Sequence, residues 1–419
     1  MPLALERMPA AARRALNALY ALLWCAAGPL LFLSPRMRQG WRQRLGFGRP
    51  APCDVWVQGA SAGECALVAS LLEHLPGVRV MATSCTSQGL DVLRKADTPG
   101  LQARMFPLDL PWLMSRLLDQ ARPKVVVLLE TEIWPGLLMA CAARKVPVIV
   151  VNARMTPKSL AGYLFLRPWL RSIAPAAVGA IAPPDARRFG LVFGPERTAV
   201  TGNIKFDRAM SAPFLKRAGN TLAAFVPEER RFFVLGSVRE QEEAAVLDLA
   251  LRLHAADPQC VIGLFPRHMH RIAAWEALLT KARIPWTRRS ALTGPASPGV
   301  VLWDAFGELG QAYALARRTF VGGSLARLGG QNFLEPLAQG VLPCTGPNTR
   351  NFDWVGGEIF DDLVFRSPDV AELTRFLLLP APPRDEVRAK AMAYVRARQG
   401  ASAASAGLVA PHLKRRDHD

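Results

Sequence analysis

The chain has 419 residues, half of them apolar, and a formal net charge of +18. That length exceeds one ordinary core and predicts two domains, and so much apolar sequence excludes a disordered chain. The excess of cations calls for an anionic counterpart: nucleic acid, an anionic membrane surface or a phosphorylated substrate.

Seven cysteines are scattered without a CxxC pair, and six histidines without an HExxH. This excludes a disulfide framework and the common zinc spacings, and it suits a reducing compartment. In "RHMHR" (267–271) the two histidines stand two apart and would diverge on a helix, so the segment reads as a polar loop or helix start.

Residues 15–34, "ALNALYALLWCAAGPLLFLS", carry no charge; Arg13 and Arg14 precede them and five arginines follow in 36–49. Twenty apolar residues are about enough to cross a hydrocarbon core of roughly 30 Å. Gly28 and Pro29 inside the stretch suit a bent or half-inserted helix equally well. No small-x-small site precedes the basic block, which argues against a cleaved signal peptide. The heavier basic flank follows the stretch and predicts that the remaining chain stays cytoplasmic. A buried core helix is the alternative, and the flanking arginines, suited to lipid phosphates, weigh against it.

From residue 50 onward, short apolar runs alternate with helical patterns. Strands are expected at 54–58, 78–83, 124–130, 146–152 and 177–182, with helices at 63–74, 111–120 and 136–144. A second series of strands is expected at 231–237, 260–265, 299–304, 318–324 and 340–344. Near-continuous apolar strands with helices between them describe parallel sheets covered on both faces. The expected fold class is α/β, with two Rossmann-like domains facing across a cleft and an N-terminal membrane-anchoring helix. The expected division is an anchor at 1–40, an N-terminal domain at 41–207, a linker at 208–230 and a C-terminal domain at 231–419. In such sheets ligands bind beyond the carboxyl ends of the strands, so function belongs to the loops that follow them.

The first of these loops, "GASAG" before Glu64, allows close backbone approach and delivers one acid to the first turn of a helix. Dipole complementarity alone would also place an acid there. The glycines are four apart, so no GxGxxG dinucleotide fingerprint is present. "LLETEIWP" (128–135) sets Glu130 and Glu132 two apart, on one face of an extended segment, where mutual repulsion would raise one pKa. "NARMT" (152–156) offers Arg154 to an anion, and "TGNIKFD" (201–207) places Lys205 where the first domain ends. In the second series, "FPRHMHR" (265–271) ends a strand at Arg267, and "FGELG" (306–310) starts a helix near Glu308. "VGGSLARLGGQNFLEP" (321–336) is a glycine-rich loop expected to feed a helix near Gln331, whose backbone N–H groups would make an anion site, with Glu335 available to ribose hydroxyls.

Taken in this order, "SAGE", "ETEIWP", "NARMT", "GNIKFD", "PRH", "GEL" followed by "VGGSL", "GGQNFLEP" and "GPNTRNF" resemble the 3-deoxy-D-manno-oct-2-ulosonic acid (Kdo) transferases of lipopolysaccharide synthesis. The resemblance runs from the apolar N-terminal segment to about residue 355. It implies a GT-B fold and inverting transfer of Kdo from CMP-Kdo to a tetraacyl, bisphosphorylated lipid A precursor at the cytoplasmic face of the inner membrane. By the same resemblance Glu64 is the general base, and Glu130 and Lys205 are transition-state stabilisers. CMP contacts fall on Pro266, Arg267, Phe306, Gly307, Glu308, Asn332, Phe333, Leu334 and Glu335. Where the family carries His, this sequence has Gln58, Arg239 and Asn348.

No metal site, no cofactor besides the CMP-Kdo donor and no nucleic-acid partner are expected. A sugar-nucleotide epimerase of the same fold and a non-catalytic basic membrane-binding protein are the alternatives.

Overall fold

The computed structural model describes residues 8–96 and 98–414. The chain forms two compact units, one of residues up to Arg208 together with those from Arg398 onward, the other of Ala209–Ala397.

The first unit is built on seven parallel strands: β1 (Val55–Gly59), β2 (Val80–Ser84), β3 (Leu101–Met105), β4 (Val125–Leu129), β5 (Val148–Ala153), β6 (Ala177–Ala180) and β7 (Thr198–Val200). Their order in the sheet is β3-β2-β1-β4-β5-β6-β7, so the winding direction reverses between β1 and β4. Along β4, Val126 and Leu128 face one buried cluster while Val125, Val127 and Leu129 face the other. Helices cover both faces, which is why these strands are apolar at every position.

The second unit repeats the plan with β8 (Phe232–Val238), β9 (Val261–Pro266), β10 (Trp286–Arg288), β11 (Gly299–Leu302), β12 (Arg318–Val321), β13 (Pro343–Thr345) and β14 (Phe365–Arg366). Its order is β10-β11-β9-β8-β12-β13-β14, again all parallel, with the reversal between β8 and β12. The two doubly wound sheets expected from the strand rhythm are present.

Three boundaries differ from the sequence reading. The apolar N-terminal helix, Ala10–Leu31, is no separate segment: one face is docked on the first unit. Its Tyr20 hydroxyl donates to Asp109 at 2.6 Å, Trp169 donates to Asn17 at 2.8 Å, and Gly28 is buried beside Leu108. Leu19, Leu22, Leu23, Leu30 and Leu33 are exposed. The stretch expected as a linker, 208–230, belongs from Ala209 to the second unit, where Leu222 and Val226 pack against Phe232 and Val234.

The second domain also ends earlier than 419. Helix Ala401–Leu413 returns to the first unit, burying Ala401, Ala406 and Val409 against Val127 and Ile149. The Asp207 carboxylate fixes its start by accepting from the Gly400 and Ser402 amides at 2.7 and 2.6 Å. Asp207 follows Lys205 by two residues, so the helix also anchors the segment that carries the lysine.

Candidate active site

The reversal point of the first sheet gathers three carboxylates. Gly59 ends β1, and helix Ala62–Leu72 begins three residues later with Ser61 as its N-cap. Ser61 and Glu64 form a capping box. One Glu64 carboxylate oxygen, Oε2, accepts from the Ala60 amide and, at 3.3 Å, from the Ser61 amide; Oε1 accepts from the Ser61 hydroxyl at 3.1 Å. The bonds that cap the helix thus also fix the Glu64 carboxylate. A Cβ on Gly59 would lie 3.1 Å from the Glu64 Cβ, so the small residues before the acid make room for it. A carboxylate has about four lone-pair sites. Three are used, which leaves one on Oε1 for an incoming hydroxyl.

Glu130 and Glu132 leave the neighbouring β4. Glu130 has φ +55°, a left-handed conformation uncommon outside glycine, at the turn that aims its side chain. Its carboxylate accepts from Lys205 Nζ at 2.9 Å and lies 3.5 Å from the Arg154 guanidinium. Lys205 is placed by two asparagines. Asn152 at the end of β5 accepts from the Ile204 amide at 2.9 Å, and Asn203 accepts from the Lys205 amide at 3.0 Å. Glu130, Lys205 and Arg154 therefore form one charged group at the carboxyl edge of the sheet.

Glu132 Oε2 accepts from Trp134 Nε1 at 2.6 Å and from Gln58 Nε2 at 3.2 Å. Gln58 is held in turn by the Thr83 hydroxyl, which accepts from Trp56 Nε1 at 2.8 Å. Burial, then the Glu64 charge, push Glu132 up to about 7 against the lowering effect of these donors. Glu64 is also raised above the ordinary carboxylate range, first by burial and then by Glu130, with the Ala60 and Ser61 donors opposing. Glu132 can thus exchange a proton near neutral pH, as general acid–base chemistry requires, and burial shifts Glu64 in the same direction. The expected repulsive pairing of Glu130 with Glu132 on one extended face is corrected: Glu130 lies past the strand end at φ +55° and pairs with Lys205, and the rise at Glu132 comes from burial and Glu64, with Glu130 the smallest cause. From the sequence no role falls to Gln58, or to Asn152 and Asn203 within "NARMT" and "GNIKFD"; all three are buried polar side chains.

In the second unit the residues assigned to the nucleotide also lie beyond strand ends. Pro266 ends β9, and Arg267 follows with its amide donating to Val238 at 2.8 Å. The Arg267 side chain is exposed and makes no ion pair among the described residues. After β11, Phe306 is 79% exposed and Gly307 takes φ +85°. The Glu308 carboxylate is already engaged by Arg289 at 3.0 and 3.2 Å and by Trp303 Nε1 at 2.7 Å. Asn332 donates to the Glu335 carboxylate at 3.0 Å and accepts from the Leu334 amide at 3.1 Å.

The glycine-rich loop corrects two expectations. Its helix is Leu334–Ala338, not a helix from Gln331, and the Phe333 and Leu334 side chains are buried, so a ligand can meet them only through the backbone. Its amides are not a free anion site. Those of Gly323, Ser324 and Leu325 donate to Glu242, and those of Gly330 and Gln331 to the carbonyls of Gly323 and Gly322. His268 and His270 stack at 5.4 Å, and among the described residues no group of three or more His, Cys, Asp or Glu is arranged to hold a metal.

Comparison with known proteins follows the same lines. The family model for 3-deoxy-D-manno-octulosonic-acid transferase (kdotransferase) matches residues 39–208. The chain is 35% identical over 380 residues to the 3-deoxy-D-manno-octulosonic acid transferase of Bordetella pertussis, covering 86% of this chain and 88% of that one. It is 31% identical over 356 residues to the enzyme of the same description from Haemophilus influenzae, covering 82% of each.

The chain belongs to the Kdo transferase family.

It is therefore an enzyme, a glycosyltransferase. A solved glycosyltransferase from Rickettsia africae superimposes with a TM-score of 0.54 at 10% identity, over 87% of this chain and 99% of that one. That likeness concerns the fold alone, and with the two doubly wound sheets it gives the GT-B class expected from the sequence.

Proposed function

We propose that the protein transfers Kdo from CMP-Kdo to a tetraacylated, bisphosphorylated lipid A precursor, with inversion and without a metal ion. The observation that carries this reading is the cluster of Glu64, Glu130 and Lys205 at the reversal point of the first sheet, in a chain of this family. The acceptor hydroxyl gives its proton to Glu64 while its oxygen bonds to the anomeric carbon of Kdo. The bond from that carbon to the CMP phosphate oxygen breaks, and CMP leaves with the electron pair. A positioned carboxylate contributes on the order of 10²–10⁴-fold as a base. The Lys205–Glu130 pair stabilises charge developing around the reacting centre. Arg267 meets the CMP phosphate, with Pro266, Gly307, Glu308, Asn332, Phe333, Leu334 and Glu335 around the nucleotide. The exposed Phe306 ring offers a stacking face to the base.

The acceptor and the inner membrane are met by the first unit. The outer leucines of helix Ala10–Leu31 stand between Arg13 and Arg14 on one side and Arg36, Arg38 and Arg42 on the other. A helix docked along one face with leucines on the opposite face suits insertion into one cytoplasmic leaflet, lying in the plane.

The test is incubation of purified protein with CMP-Kdo and the lipid precursor, with chelator present, followed by the mass of the lipid and the release of CMP. One or more Kdo additions, with matching CMP, are expected. CMP-Kdo left intact, or consumed without any gain in lipid mass, would overturn the proposal.

A further inference from the structure

The reversal point of the second sheet lies between β8 and β12, where a doubly wound domain receives its ligand. There the chain has placed a carboxylate of its own. Glu242 ends the short 3₁₀ turn Glu240–Glu242 after β8 and is 2% exposed. Its Oε1 accepts from the Gly323 amide and, at 3.0 Å, from the Arg239 amide; its Oε2 accepts from the Ser324 and Leu325 amides, each at 3.2 Å. It has no cationic partner within ion-pair distance among the described residues. Four backbone donors are what hold this buried charge.

The surrounding residues are shaped to it. A Cβ on Gly322 would stand 2.5 Å from Glu242 Oε1, 2.7 Å from the Ser237 carbonyl oxygen and 2.9 Å from the Val238 Cα, so the acid and the strand-end backbone together require glycine there. From the far side, Asn348 Nδ2 donates to the Ser324 and Leu325 carbonyls at 3.1 Å, and the Gly346 amide donates to the Ser324 hydroxyl at 2.8 Å. The loop then closes through Gly330 and Gln331 onto Gly323 and Gly322, and delivers Asn332–Glu335 to the strand ends. Arg267 is tied to the same corner through its amide on the Val238 carbonyl, four residues before Glu242.

We infer that Glu242 is a positioning residue for the nucleotide donor: its carboxylate fills the inward face of the 322–325 loop and so fixes the Asn332–Glu335 segment beside Arg267. This rests on the donor assignment above. Glu242 touches no donor atom. The donor is met by the outward side of the loop and by Arg267, not by the amides of residues 323–325.

The test uses the full chain, with CMP as the calorimetric probe and CMP-Kdo in steady-state transfer. In Glu242→Gln an N–H₂ group replaces one acceptor oxygen and faces backbone donors. The expected result is a weakening of CMP affinity, and a rise in the donor KM, on the order of tenfold to a hundredfold, as a small displacement of a binding loop produces. The acceptor KM and the melting of the first unit should stay unchanged. Glu242→Asp should recover part of the affinity. Gly322→Ala, whose Cβ pushes on the carboxylate and on the Ser237–Val238 backbone and so displaces the same loop, should weaken CMP in the same way and serves if Glu242→Gln does not fold. CMP affinity within twofold of wild type in Glu242→Gln, or in folded Gly322→Ala, overturns the inference alone. So does equal loss of donor and acceptor binding. Wild-type protein that fails to bind CMP overturns the donor assignment first and this inference with it.

Discussion

Glu132 offers a stability test of the active site. In the folded protein its pKa stands at about 7 against an ordinary 4.5, through burial and the Glu64 charge. Between those two pH values the folded chain holds a proton that the unfolded chain has released. Stability therefore falls as pH rises through the window, and the full cost is in place above about pH 7. At about 1.4 kcal/mol per pH unit the cost reaches at most roughly 3 kcal/mol. Glu132→Gln removes the charge and keeps the carbonyl oxygen to which Trp134 and Gln58 both donate. The variant should melt close to wild type at about pH 4.5. At pH 8 it should melt higher, by up to roughly 6–12 °C for a unit of this size. Thermal unfolding followed at both pH values reads this directly. A variant less stable than wild type at both, or a difference independent of pH, would refute the reasoning, because the acid would then stabilise the fold.

Lys205→Met leaves the Glu130 carboxylate without its 2.9 Å partner and should lower kcat on the order of 10²–10³-fold with CMP affinity unchanged, measured by transfer kinetics and calorimetry. Asp109→Ala removes an acceptor that is 0% exposed and serves the Tyr20 hydroxyl and the Gly136 and Leu137 amides. A loss of about 3–5 kcal/mol is expected in denaturant unfolding of the first unit. Replacing the exposed Leu22 and Leu23 together by Glu should abolish flotation with anionic vesicles while leaving CMP binding intact.

The interior strands could be read from the sequence because both of their faces are buried, and runs such as "VVVLL" are short and rich in β-branched residues, which favours a strand over a buried helix. The strands that escaped reading, β3, β7, β10 and β14, are the outer strands of the two sheets. "LQARM" and "WTR" carry polar residues because an outer strand is only partly covered, so the apolar signal is diluted. The C-terminal helix could not be assigned to the first unit for a different reason. "ASAASAGLVAPHL" has small residues on most faces, and its anchor, Asp207, lies nearly two hundred residues away in sequence.

The site divides in the same way. Glu64 is legible because capping and small-residue approach are local effects within six residues of sequence. Glu132 and Glu242 are not. "ETE" alternation predicts both acids on one face, whereas the left-handed turn at Glu130 breaks that alternation, and the pattern does not tell which acid is paired with a lysine seventy-five residues on. Nothing in "REQEE" marks one of its acids for burial, and only the folded chain shows Glu242 enclosed by the amides of a loop eighty residues later.

The most direct measurement is the mass of the lipid product formed from CMP-Kdo by wild type and by Glu64→Gln, with CMP affinity measured on the same preparations. The proposed roles predict Kdo addition by wild type, a loss of at least about 10²-fold in the variant, and equal CMP affinity in both. Transfer by Glu64→Gln at the wild-type rate would contradict the assignment of the proton acceptor, and with it the proposed chemistry of this site.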